Sequence, residues 1–143
     1  MFVPLVLFTL VLQDSLAFRV ELPATATSGE PVPIVLRLTN TTPHAITLAL
    51  EGRPIAFDVT IARVDGTVVW RRLEGEIVSA VLAVRALESG ESLTFETEWS
   101  GRLRDGSPAP PGRYAVVGTL PTDQPQGLAT PPAALRVLPP PGH

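Results

Sequence analysis

Asp58-Val59-Thr60-Ile61-Ala62-Arg63-Val64-Asp65-Gly66-Thr67-Val68-Val69-Trp70 is the stretch that decides the fold. Two apolar-alternating runs are joined by Asp65-Gly66, a pair that tolerates the positive φ angles needed when a tight turn must match the twist of its strands. A β-hairpin is predicted. With a side-chain period of two, Phe57, Val59 and Ile61 share one face of the first arm, with Asp58 and Thr60 on the other. Val68 and Trp70 share a face of the second arm, which makes Trp70 the expected centre of the core. Burying a ring of that size stabilises by about 3 kcal/mol.

Working outward, the same alternation recurs. Phe18 to Leu22 reads as a short strand. Val32 to Asn40 places Val32, Ile34, Leu36 and Leu38 on one face and Val35, Arg37 and Thr39 on the other, and Ala45 to Leu50 resumes the pattern. Ile77 to Leu87 fits neither period cleanly and is read as extended with irregular edges. Leu93, Phe95, Thr97 and Trp99 alternate with Thr94, Glu96 and Glu98. Tyr114, Val116, Gly118 and Leu120 share a face of the next strand, and Ala134 to Leu138 supplies the last. Between Trp99 and Tyr114, Ser100 to Gly112 is rich in Gly and Pro and is read as the longest loop. About seven to nine short strands with regular turn signals predict an all-β, immunoglobulin-like antiparallel sandwich.

Composition agrees. The 143 residues include 16 Pro and 11 Gly, with 6% aromatic residues, which suits short strands and frequent turns better than helices. The length allows one core without covalent staples. A net charge of -3, with the basic residues scattered, offers no nucleic-acid surface. The absence of Cys removes disulfides and thiolate chemistry.

Met1 to Leu12 is an apolar run broken only by Pro4 and Thr9, followed by small residues at Ser15 and Ala17, the pattern of a signal peptide. It is too short to span a bilayer about 30 Å thick, so no membrane span is expected in the mature chain. A basic leader segment is missing, since no Arg precedes Arg19. The expected organisation is residues 1–17 as a removed leader, 18–138 as one domain and 139–143 as a frayed tail. Export to the periplasm or the medium follows, with a buried first strand and a cytoplasmic protein as the alternative. Asn40-Thr41-Thr42 matches the glycosylation sequon, but its simpler reading is a turn.

The ordered landmarks Leu36-Arg37-Leu38-Thr39-Asn40, Gly52, Phe57-Asp58-Val59, Asp65 to Trp70, Leu87, Gly90-Glu91, Phe95 to Trp99 and Pro111-Gly112-Arg113-Tyr114 carry a resemblance. Over roughly two thirds of the mature chain the sequence resembles the intracellular proteinase inhibitor (BsuPI) family. It departs from the family pattern in having Ile55 and Ile77 where aromatic residues are usual, both read as core changes of tolerable volume. The resemblance implies a sandwich with Phe57, Trp70, Phe95, Trp99 and Tyr114 in its core. It also implies a partner, a subtilisin-like serine protease.

An enzyme needs a constellation of reactive groups. His44 sits in a predicted turn and His143 at the terminus, leaving at best one candidate base and no metal site. Glu96 and Glu98 share an outward strand face, better read as solvated than as paired acid and base. No catalytic residue, cofactor or metal is expected. An inhibitor instead needs an exposed, restrained loop, because rigidity lowers the ordering cost of binding. Arg102, Leu103, Arg104 and Asp105, in the loop stiffened by Pro108, Pro110 and Pro111, form the first candidate; Arg71, Arg72 and Leu73 form the second. The alternative function is a non-catalytic protein-binding module of the cell envelope. Either way a monomer is expected.

Overall fold

The computed structural model describes residues 16–52, 54–123 and 127–141. Its strands are β1 (Leu16–Glu21), β2 (Thr25–Thr27), β3 (Val32–Asn40), β4 (Ile46–Glu51), β5 (Asp58–Arg63), β6 (Val68–Arg71), β7 (Leu82–Leu87), β8 (Ser92–Trp99), β9 (Gly112–Leu120), β10 (Leu128–Ala129) and β11 (Ala133–Leu138). The described residues contain no helix. Two short strands, β2 and β10, lie in stretches for which the sequence predicts no strand. They are three and two residues long, too short for a periodic signal. β1 begins at Leu16, two residues before the expected domain start, and Met1 to Ser15 lie outside the described residues, as does His143.

Hydrogen bonding orders β1-β3-β8 in one sheet and β2-β11-β9-β5-β6 in another, with β10 added to β9, and leaves β4-β7 as a two-stranded ribbon. The first segment is divided between the layers: β1 pairs with β3, and β2 then pairs in parallel with β11. All other strand pairs are antiparallel. Sequence neighbours are thus separated across two layers, the architecture of an immunoglobulin-like sandwich. A second hallmark is Tyr114, at the start of β9, whose Oη donates to the Pro110 carbonyl at 2.6 Å, tying the strand to the loop before it.

Alternation delivers the core. Ile34, Leu36 and Leu38 of β3 meet Val59 and Ile61 of β5, Val116 and Leu120 of β9 and Leu135 of β11, all essentially without solvent contact. Two ring pairs cross between the layers: Trp99 and Tyr114 at 6.0 Å between centroids, and Phe57 and Phe95 at 5.2 Å. The layers approach tightly where Gly118 faces Leu36, since a Cβ there would overlap both Leu36 methyl groups.

The hairpin is present, but its turn is one residue longer than expected. Gly66 N–H donates to Arg63 O at 2.9 Å and Arg63 N–H to Thr67 O at 2.9 Å, so Val64, Asp65 and Gly66 form a three-residue loop with Gly66 at φ 93°. A bulge then pairs Ala62 with Val68 and Ile61 with Trp70, leaving Val69 as the extra residue. This shift overturns the expected face of β6. Val69 is buried, and Trp70 is only half-buried at the rim, so Trp99, wholly enclosed, is the ring at the core's centre. Asp58, on the face opposite Val59 and Ile61, is buried as well. Phe95 is half-buried against the core. Ile55 packs against the core, but Ile77, read as a core residue, is 99% exposed.

Asn40 closes β3 from within. Its buried Nδ2 donates to His44 O at 2.7 Å and Leu87 O at 2.9 Å, and its Oδ1 accepts from Thr42 N–H at 2.9 Å and Thr42 Oγ1 at 2.7 Å. The sequon asparagine is therefore a turn anchor without a free amide hydrogen.

The tight approach of the layers gives a direct prediction. Gly118→Ala is expected to destabilise by about 1–3 kcal/mol in urea unfolding, and combining it with Leu36→Val is expected to recover part of that loss, giving a less-than-additive pair. Strict additivity would mean that the two positions do not press on each other.

Candidate functional site

The 100–111 loop is strongly self-bonded. Ala109 N–H and Gly29 N–H both donate to Gly101 O, at 2.9 and 3.2 Å, and Leu103 N–H donates to Ser107 O at 2.8 Å. Trp99 Nε1 donates to Arg102 O at 3.1 Å, fixing the loop to the core. Gly101, at φ 77°, lies so close to Glu30 that a Cβ would strike its backbone. The loop has the rigidity an inhibitory segment requires, but its side chains are largely occupied. Leu103 is half-buried against the core. Arg104 makes a two-pronged pair with Glu74, Nε to Oε2 at 2.7 Å and Nη2 to Oε1 at 2.6 Å, and donates from Nη1 to Val68 O at 3.1 Å. Asp105 accepts from Ser107 N–H at 2.9 Å. Arg102 curls back from Nη1 to Gly106 O at 3.0 Å while staying exposed.

The second candidate also turns inward. Arg71 Nη2 reaches the buried Asp58 Oδ2 at 2.9 Å, and Asp58 Oδ1 accepts Leu73 N–H at 3.0 Å. Arg72 lies 3.6 Å over the Phe57 ring and donates to Phe57 O at 2.6 Å, a cation–π contact that ties β6 to the start of β5. Through Arg104 and Glu74 the structure brings the two candidate segments together. Sequence reasoning did not identify Glu74 as the link, because nothing in a linear chain signals a pair thirty residues apart.

Electrostatics follow this pairing. The Glu74 carboxyl is held below its ordinary value, first by the hydrogen bonds from Arg104 and then by the charges of Arg104 and Arg71, with slight burial opposing them. Ser107, through its hydroxyl and then its N–H, lowers Asp105 in the same way. Elsewhere, His44 stands exposed in the turn that Asn40 anchors, and Glu96 and Glu98 lie on the exposed face of β8 opposite Val35 and Pro33. Among the described residues no group of His, Cys, Asp and Glu is placed to hold a metal ion, and no helix is long and apolar enough to cross a membrane.

The sequence profile described as BsuPI, intracellular proteinase inhibitor, matches residues 20–125, about three quarters of the chain. The chain belongs to the BsuPI family. Its Asp58–Trp70 hairpin, the 100–111 loop and the Tyr114 corner all lie inside the matched region. No curated protein matches the chain. Among solved structures it is similar to the alkylpurine DNA glycosylase AlkC of Pseudomonas fluorescens, at 18% identity and TM-score 0.47, covering 86% of this chain and 30% of that one. It is also similar to the CARDB domain of PF1109 from Pyrococcus furiosus, at 11% identity and TM-score 0.45, covering 86% and 87%. A β-glucosidase from Listeria innocua is matched at 16% identity and TM-score 0.46, covering 85% of this chain and 16% of the enzyme. This BsuPI chain therefore spans less than a third of AlkC and about a sixth of the glucosidase.

The Arg104–Glu74 tether makes a prediction about the 100–111 loop. A carboxylate whose folded pKa is lowered contributes above its ordinary value of 4.5 and loses that contribution as pH falls through the folded value. Glu74→Gln should therefore speed tryptic nicking after Arg104 several-fold at pH 8, with the urea midpoint nearly unchanged because the pair is exposed. Wild-type protein should show the same freed Arg104 by side-chain NMR only once the pH has fallen through the lowered folded value, not at the ordinary carboxylate value. Equal nicking in the two proteins would show that the tether does not hold the loop.

Proposed function

We propose that this protein inhibits a serine protease of the subtilisin type, occupying its substrate cleft with an exposed, restrained loop. Membership of the BsuPI family carries the reading. The architecture supports it, because a sandwich whose connections are pinned to the core at both ends presents backbone at low ordering cost. Inhibition of this kind asks for shape and strand-like pairing and needs no reactive group of the inhibitor's own, so we read the chain as non-catalytic.

The compartment of the target follows from the start of the mature chain. If Met1 to Ala17 is removed as a leader, the protease lies outside the cytoplasm; if it is retained, the family's intracellular setting applies. N-terminal sequencing of protein from its native cell decides between Phe18 and Met1. The functional test is titration of subtilisin with the purified chain from Phe18. Residual activity is expected to fall linearly to a stoichiometric end point, as tight inhibition requires. No loss of activity at a tenfold excess, against subtilisin and against serine proteases of the native cell, would overturn the reading.

A further inference from the structure

We infer that the segment entering the protease cleft is the β6–β7 connection, with Ile77 at its crest, and that the specificity pocket it fills is apolar. The inference rests on the inhibitory reading above and goes beyond it by naming the loop and the class of pocket.

Residues 74–81 are all exposed, and Ile77 is 99% exposed. An aliphatic side chain held wholly in water contributes nothing to the fold. Here it is followed by exposed Val78, Val81, Leu82 and Val84, a concentration of apolar surface that marks an interaction site rather than a scattered residue. Ile77 and Val78 both border the Pro54–Ala56 turn, and of the two Ile77 is the more open to solvent.

The backbone is free as well. Among the described residues, no backbone N–H or C=O of Ile77, Val78, Ser79 or Ala80 pairs with another backbone group. Beyond them, among the described residues β7 pairs only with β4, and its outer edge from Leu82 to Leu87 has no neighbouring strand there. A protease that reads its substrates by adding them as a strand finds here a row of backbone donors and acceptors on Ile77 to Ala80 and along the outer edge of β7. The row is interrupted at Val81, whose C=O accepts from Gly52 N–H and whose N–H donates to Ser79 Oγ. The 100–111 loop offers no such row, because Leu103 N–H already pairs with Ser107 O and Gly106 N–H with Leu103 O.

Both ends of the segment are fixed. On the β6 side, Arg72 N–H donates to Val59 O at 2.9 Å, Leu73 N–H to Asp58 Oδ1 at 3.0 Å, and Glu74 is gripped by Arg104. On the β7 side, Gly52 N–H donates to Val81 O at 2.8 Å. A crest with fixed feet is preorganised for a cleft, and one cut in it would leave its halves in place to be resealed or held. Both sequence-derived candidates thereby acquire supporting roles: Arg71 to Leu73 anchor one foot and Arg104 braces it.

The test compares inhibition constants against subtilisin for the wild type, Ile77→Ala, Ile77→Asp, and an Arg102→Ala, Leu103→Ala, Arg104→Ala triple variant. Loss of an aliphatic side chain from a filled pocket should weaken inhibition by about 10- to 100-fold in Ile77→Ala. Ile77→Asp should weaken it further, and the triple variant only by the slackening of one brace, a few-fold. Because Ile77 touches almost nothing, thermal unfolding of its variants should coincide with that of the wild type. Mass spectrometry of the long-incubated complex should place any slow cleavage within residues 76–80, a readout independent of the variants. Wild-type inhibition matched by Ile77→Asp, or cleavage confined to 102–106, would overturn the loop assignment while leaving the inhibitor reading intact. A wild type that inhibits no protease would remove that reading and this inference with it.

Discussion

The two layers of this sandwich can close only where one of them gives up a side chain. Leu36 occupies the space that a Cβ on Gly118 would take, and the ring pairs Trp99–Tyr114 and Phe57–Phe95 bridge the same two layers. Interiors are packed to crystalline density, so the spacing of the sheets at this point sets their spacing elsewhere. The tilt of β9, the seat of Tyr114 and hence the position of the Pro110 carbonyl are all downstream of it. The loops inherit their placement from a core that permits few alternatives.

Polar groups within that core act as local organisers. Asn40 and Asp58 are both buried and both satisfied, one by a turn and the end of β7, the other by Arg71 and the Leu73 amide. Leaving such groups unpaired would cost more than their bonds contribute, so each selects one path for the chain around it. Asp58 explains why the chain leaves β6 in the direction it does, and therefore why the β6–β7 connection is carried out into solvent.

Much of this was legible in the sequence. Periods of two in Val32–Asn40, Ser92–Trp99 and Gly112–Leu120 gave strands and inward faces directly, because the buried side of a regular strand is fixed by parity. Parity is also why Trp70 was misplaced: a single bulge residue, Val69, reverses the assignment, and no local signal announces it. The candidate site was less legible. Arg104 and Arg72 looked like residues for a partner because they are charged and lie in loops. Their actual partners, Glu74 and the Phe57 ring, are set by tertiary geometry. Ile77 reads as core because it stands where the BsuPI pattern has an aromatic residue, although the mixed periodicity around it hints that the stretch serves neither a helix nor a buried strand face.

The division of the first segment between the two sheets carries a mechanical consequence. β2 lies parallel to β11, the strand nearest the other end of the chain. Tension drawn between the two ends would load the bonds of this pair together, in shear, instead of opening them singly from one side. Three residues of pairing make a short clamp, but it is placed where a pulling force would have to break it before the sheet of β5, β9 and β11 could be reached. A domain drawn upon from its termini would resist unravelling through its least conspicuous strand.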